Sequence, residues 1–198
     1  CRVSGSNSRT KKSERIILPR AWDVIRDVLG LSTLVQENED LEFLVCDFSD
    51  AFYMLPLHFD EQQYYCASYK GRFYIWARVV QGSLNGPNTF GRLSAFVGRI
   101  SQGCFDPREL RLQIYSDDPC AVIRGSLSRR RLLFCILLLV WLLLGFDLAY
   151  HKGQRGRSIT WIGYSMQLDA NMIKVSIKEA SMKEFAELTT ALRKMEYE

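Results

Sequence analysis

An α+β fold, with helices packed on one face of a largely antiparallel sheet, is what this sequence predicts. Three observations carry the prediction. From Leu41 onward the hydrophobic periodicity reads strand, hairpin, helix, hairpin, helix, strand, strand, helix. Two strand pairs are joined by tight turns, at Lys70-Gly71 and at Ser116-Asp117-Asp118, and a tight turn makes its strands antiparallel. The third is the absence of both G-x-x-x-x-G-K-[ST] and G-x-G-x-x-G, the phosphate-cradling loops of nucleotide-binding folds.

Bulk properties fit one domain with appendages. Almost half of the 198 residues are apolar, which provides a sizeable core and argues against global disorder. A net charge of +4 permits a polyanionic partner without demanding one. Six cysteines are spread without a C-x-x-C pair, mostly among apolar neighbours, as expected for reduced core thiols of an intracellular protein in cytoplasm or nucleus. Two histidines, far apart in sequence, argue against a zinc site. The apolar run Leu132–Leu144 is too short for a membrane span, which needs about 20 residues, and reads as a buried core helix. No membrane partner is expected.

The elements follow in order. The segment before Ile16 is polar and basic (Arg2, Arg9, Lys11, Lys12, Arg15) and reads as an extended arm. The chain opens inside it without a Met, which suggests a fragment. Ile16–Leu31 has helical spacing in Trp22, Ile25, Val28 and Leu29, with Pro19 early and Gly30 near the end. Leu41–Asp47 is an almost continuously apolar strand ending in an acid. Asp50-Ala51-Phe52 begins a turn or short helix that Pro56 stops. Tyr64–Tyr69 and Phe73–Val80 form an aromatic hairpin. Asn85-Gly86-Pro87 starts a helix with Phe90, Leu93, Phe96, Val97 and Ile100 on one face. The hairpin around Tyr115-Ser116-Asp117-Asp118 comes next, then the apolar helix at 128–145 and a basic loop with His151, Lys152, Arg155 and Arg157. Strands at Ser158–Tyr164 and Met172–Ile177 and a helix at Ala180–Met195 complete the chain.

Chemistry concentrates in the acids. Asp is common in turns, so Asp117-Asp118 alone carries little. Asp47 at the end of a strand changes that. If its strand and the hairpin are sheet neighbours, three carboxylates converge at one edge. Clustered carboxylates repel one another and hold raised pKa values unless a cation neutralises them. Mg²⁺, a hard ion that takes oxygen ligands, fits such a set. Two such ions can activate a hydroxyl and stabilise a leaving phosphate oxygen.

These residues also carry a family resemblance. Val45-Cys46-Asp47-Phe48-Ser49-Asp50-Ala51-Phe52 with Pro56-Leu57 resembles the first catalytic motif of reverse transcriptases. Gln81-Gly82 with Gly86-Pro87 and Phe90 resembles the second, and Tyr115-Ser116-Asp117-Asp118 the Tyr-x-Asp-Asp box. Gly145-Phe146 through Lys152 is similar to the fourth motif, and Trp161-Ile162-Gly163-Tyr164 to the primer grip. The five stand in the family's order, closest to the retrotransposon and retroviral type. The resemblance implies a polymerase palm with a ferredoxin-like antiparallel sheet at 41–165, including a fingers-like hairpin at 61–80. It implies partial fingers and an N-terminal arm at 1–40 and the start of a thumb at 166–198.

It also implies roles. Asp47, Asp117 and Asp118, with the Phe48 carbonyl, would hold two Mg²⁺ ions, with Mn²⁺ as the alternative. Asp50, Ala51, Phe52, Gln81 and Gly82 would meet the nucleotide. Phe52 would act as the steric gate against a ribose 2′-OH, although alone it reads as a core aromatic. Lys152 would act on the departing pyrophosphate, although alone it reads as solvated or phosphate-attracting charge. Tyr115, Trp161, Ile162, Gly163, Tyr164, Gly86 and Pro87 would handle primer and template. The implied activity is RNA-directed DNA synthesis from dNTPs on a primed RNA or DNA template, with weak or no activity expected of the 198-residue chain until its upstream fingers are restored. The implied partners include upstream fingers and downstream thumb and RNase H regions of a polyprotein. Two departures stand out: Val80 where the family often has Pro, and Gly86 where many members have Ser. Arg2 is a candidate remnant of a finger motif. Two competing expectations are an RNA-directed RNA polymerase, which Phe52 argues against, and a catalytically inactive nucleic-acid-binding fragment.

Overall fold

The computed structural model describes residues 15–169 and 172–195. The basic arm up to residue 14, with Arg2, lies outside them. A four-stranded antiparallel sheet organises the rest. It is built from β1 (Asp40–Val45), β4 (Leu110–Tyr115), β5 (Asp118–Gly125) and β6 (Gln154–Gly156), in the order β4-β5-β1-β6. β1 lies centrally because its burial is nearly continuous, and it pairs with β5 from Asp40↔Gly125 to Val45↔Cys120.

Side chains alternate across a strand, so β1 feeds two separate cores. On one face Leu44 and Cys46 join Phe48, Ala121 and Ile123. That face is covered by α3 (Gly86–Gly103) and α4 (Leu127–Leu143) through Phe90, Val97, Leu133, Phe134, Leu137 and Trp141. This is the helical layer that the sequence predicts. The other face has a cover of its own. There Phe43 and Val45 meet Val24, Val28 and Leu31 of α1 (Ala21–Ser32). Ile159, Trp161, Met166 and Leu168 add the three-stranded sheet β7 (Ser158–Trp161), β8 (Tyr164–Asp169) and β9 (Met172–Ile177). A short helix α2 (Phe59–Gln62), a separate hairpin of β2 (Cys66–Tyr69) and β3 (Arg72–Ile75), and a final helix α5 (Glu179–Met195) complete the molecule.

Several boundaries differ from expectation. The first helix starts at Ala21, after Pro19, where the chain is still extended. Ser158–Tyr164 is two strands joined by a turn: Ile162 and Gly163 both have positive φ, +43° and +84°. The turn is held by Lys178, whose N–H donates to Gly163 O at 3.0 Å where α5 begins. The α3 stripe is also altered. Phe96 is 53% exposed, and the buried positions are Gly86, Phe90, Ser94, Val97 and Ser101. Ser101 earns its burial by accepting a hydrogen bond from Trp141 Nε1 at 3.0 Å.

The Leu132–Leu144 run is not a fully buried helix. Leu133, Phe134, Leu137 and Trp141 face the sheet, whereas Leu139 and Leu143 are 56% and 86% exposed. Among the described residues no helix is long and apolar enough to cross a membrane. The basic loop is less solvated than its composition suggests. Arg155 and Arg130 both donate to Glu42, and Arg157 pairs with Asp40. Desolvation raises the Glu42 carboxyl, but hydrogen bonds from Arg155 and Arg130 outweigh it and leave the net pKa lowered.

Candidate active site

Adjacent strands bring Asp47 and the Tyr115–Asp118 turn together. Past the end of β1 the chain stays in register with the hairpin. Cys46 N–H donates to Pro119 O at 3.1 Å, and Phe48 N–H donates to Asp117 O at 2.9 Å. Asp47 therefore lies between two backbone bonds to the turn that carries the other acids. On its opposite side Ala149 N–H donates to Asp47 O at 2.9 Å, and Phe48 bridges to Leu148. The Phe48 ring is buried against Trp141 and Phe146, so only its backbone is left for the site.

The turn itself is tightly specified. Tyr115 pairs with Asp118 across it, and Ser116 has φ +58°, a left-handed conformation that costs a non-glycine residue energy. Ser94 Oγ of α3 donates to Ser116 O at 2.7 Å and offsets part of that cost. Sequence reasoning missed Ser94, although a Ser on the buried stripe of a helix was the available signal. Asp118 is anchored from the opposite face: Trp161 Nε1 donates to its carbonyl at 3.0 Å. Trp161 is buried, and Tyr115 meets its ring edge-on at 6.4 Å.

A cleft of about 200 Å³ opens at this junction, lined by Asp47, Asp118, Lys152, Gln154, Thr160 and Trp161 among others. Lys152 Nζ contacts both Asp47 oxygens, at 3.1 and 3.0 Å. That hydrogen bond, with the charge of Asp47 and then of the other acids, raises the Lys152 pKa and fixes its positive charge. The Asp118 carboxyl is pushed up to about 6, first by burial, then by Asp117 and Asp47; Lys152 opposes the shift. The three acids thus interact through charge. Gln154 and Thr160 were not foreseen. Gln154 exchanges two hydrogen bonds with the Thr160 backbone, at 2.8 and 2.7 Å, and no local sequence pattern announces a contact made between strands β6 and β7.

The donor chemistry suits a hard cation, and the Lys152 ammonium stands in for one against Asp47. Among the described residues, however, no three carboxylate, thiol or imidazole side chains close on one point as a metal-binding group.

The remaining predicted residues form a second cluster. Asp50 is exposed, with φ +50°, and precedes the 3₁₀ turn Ala51–Met54. Ala51 is buried, and Phe52 packs on Phe90 with ring centroids 5.6 Å apart. Gln81 and Gly82 are exposed, and Gly82 has φ +86°. Gly86 has a packing role: a Cβ there would lie 2.7 Å from Ser83 Oγ and 3.4 Å from the Phe52 ring. Pro87 occupies the first turn of α3, where its missing N–H costs nothing. Tyr164 is partly exposed at the start of β8.

No family model matches this sequence, and no curated protein does. Solved structures do. The foamy viral protease-reverse transcriptase in complex with dsDNA aligns with a TM-score of 0.63 at 18% identity, covering 88% of this chain and 32% of that one. The same protein in complex with an RNA/DNA hybrid gives 0.55 at 19% identity, over 77% and 19%. The native protease-reverse transcriptase of prototype foamy virus gives 0.52 at 16% identity, over 83% and 19%. The chain thus spans about a third or less of the length of these proteins, and the likeness is one of architecture: the chain has a reverse-transcriptase-like fold.

Proposed function

We propose that this chain is the polymerising part of an RNA-directed DNA polymerase from a retroelement polyprotein. It extends a primer 3′-OH with dNTPs on an RNA or DNA template. The observation that carries the reading is the meeting of Asp47, Asp118 and Lys152 at one cleft, beside Asp117, within a reverse-transcriptase-like fold. In this reading residues 41–165 are the palm, 1–40 belong to the fingers and 166–198 begin the thumb.

Asp47, Asp117 and Asp118, with the Phe48 carbonyl, would hold two Mg²⁺ ions, which when bound would supply Lewis-acid stabilisation of the charge that builds on the phosphoryl oxygens. The chain's own residues do the rest. Asp47 and Asp118 present their carboxyl groups to the cleft. Lys152, a fixed cation, neutralises charge leaving with the pyrophosphate. Phe52 fills the space that a ribose 2′-OH needs. Tyr115, held edge-on to Trp161, braces the primer end, and Gln81 and Gly82 with Gly86 and Pro87 border the templating side.

A second reading, an inactive nucleic-acid-binding fragment, is favoured by the lack of a closed metal-binding group among the described residues. A primer-extension assay with Mg²⁺, run with dNTPs and then NTPs, decides between them. The polymerase reading expects dNTP incorporation that Asp117→Asn removes and a gain of NTP use in Phe52→Ala. Extension that survives Asp117→Asn sinks the metal assignment, and wild-type preference for NTPs sinks the steric gate. Mn²⁺ binding that Asp47→Asn and Asp117→Asn do not weaken supports the inactive reading.

A further inference from the structure

The β2–β3 hairpin carries a run of exposed aromatic rings and, among the described residues, pairs with no further strand. Its register pairs Ala67 with Tyr74 and Tyr69 with Arg72 on one face, and Cys66 with Ile75 and Ser68 with Phe73 on the other. On the first face Tyr69 is 62% exposed and Tyr74 48%. Ala67, opposite Tyr74, is too small to cover it. Trp76 continues the alternation, with its N–H bonded to Tyr65 O at 2.9 Å. Rings at every second residue of a strand stand about 6.8 Å apart, room for one base between two rings at ordinary stacking distance.

The stretch of sequence that carries these rings has charge of one sign. From Gln62 to Phe105 there is no acidic residue, while Lys70, Arg72, Arg78, Arg92 and Arg99 fall within that stretch. Lys70 already sits over the Tyr69 ring, 5.3 Å from its centroid. The row also leads toward the acids. Trp76 stacks on Tyr53, with centroids 6.0 Å apart and planes 14° apart, in the turn that follows Asp47. Arg78 Nη1 donates to Met54 O at 3.2 Å and anchors the hairpin base to that turn.

We infer that the Tyr69–Tyr74–Trp76 face of this hairpin is a stacking platform for single-stranded nucleic acid, which lies with its bases between the rings and its phosphates toward Lys70 and Arg72. The inference deepens the polymerase reading, which identifies the strand as template outside the duplex. The opposite face offers Phe73 and Ile75 but no cation, so it does not share the role.

The test is fluorescence anisotropy of the 198-residue chain with labelled dT12, rU12 and a 12-base-pair duplex, in EDTA and without nucleotide. Strand binding is thereby scored apart from nucleotidyl transfer, which only the Asp117→Asn comparison reports. Tyr74→Ala and Tyr69→Ala are each expected to weaken dT12 and rU12 roughly tenfold, from the usual worth of one stacked base. Tyr74→Phe retains affinity, and Phe73→Ala on the opposite face changes it less than about twofold. Lys70→Gln with Arg72→Gln lowers the salt slope by about 1.4, the value for two phosphate contacts on a single strand. Duplex affinity stays constant in the variants of the aromatic rings. The inference is overturned if Tyr74→Ala leaves dT12 binding intact, if duplex affinity falls equally, or if sedimentation shows a dimer that Tyr74→Ala dissolves.

Discussion

The Asp118 carboxyl is pushed up to about 6, against an ordinary value of 3.8. Burial is the main cause, and Asp117 and Asp47 add to it. A raised carboxylate binds a proton more tightly folded than unfolded. Between about pH 4 and pH 6 the folded state therefore holds more protons, and stability falls as pH rises through that window. Two decades of proton affinity correspond to about 3 kcal/mol at full burial. Asp118 is only partly buried, so solvent screening reduces this to about 1–2 kcal/mol. Carboxyl-carbon NMR titration of the chain in EDTA should give a midpoint near 6. Asp117→Asn should lower it, because one repelling charge is removed, and Lys152→Met should raise it, because an opposing cation is lost. Saturating Mg²⁺ should pull it down. A wild-type midpoint at an ordinary carboxylate value, or one indifferent to both substitutions, refutes the electrostatic account of the site.

Three further outcomes follow from the packing. Glu42→Gln leaves Arg130 and Arg155 without their carboxylate and should cost about 2–4 kcal/mol in urea denaturation. Because the folded pKa of Glu42 is lowered, its contribution is full above the unfolded pKa and lost as pH falls through the folded one, so the deficit should shrink in acid. Gly86→Ala should cost about 1–3 kcal/mol from the 2.7 Å approach to Ser83 Oγ, with partial recovery in a Ser83→Ala background; full stability of the single variant counts against the packing role. Trp161→Phe removes the hydrogen bond to Asp118 O and leaves a gap, and should lower stability by about 2–4 kcal/mol in a thermal melt followed by circular dichroism.

Much of this was legible in the chain. β1, the Tyr115–Asp118 hairpin and β9 fall close to their predicted bounds, because apolar alternation and turn chemistry are local signals. The two-sided cover of the sheet was not legible. Val24, Val28 and Leu31 announce a buried helix face but not which side of β1 they meet. The Leu132–Leu144 run misled for the opposite reason: nearly every position is apolar, so no periodicity distinguishes Leu137, fully buried, from Leu143. Spacing and resemblance singled out Asp47, Asp117 and Asp118, which the sheet places side by side. They did not single out Gln154, Thr160 and Ser94, since each acts through a backbone partner on another element. Gly86 seemed a departure in template handling, yet its neighbours Ser83 and Phe52 give a steric reason for it.

The second sheet has a mechanical consequence. Its turn holds α5 through Lys178 N–H and Gly163 O, and its Trp161 holds the carbonyl of Asp118. Between a surface helix and an acid of the cleft stand two hydrogen bonds and the short peptide from Trp161 to Gly163. A displacement of α5 that carries Lys178 with it reaches the Asp118 carbonyl unless one of those bonds breaks. Linkage runs both ways, so to whatever extent the position of α5 changes the proton affinity of Asp118, the charge on Asp118 biases α5 by the same free energy. The hairpin is then the link through which that helix and that acid can sense one another.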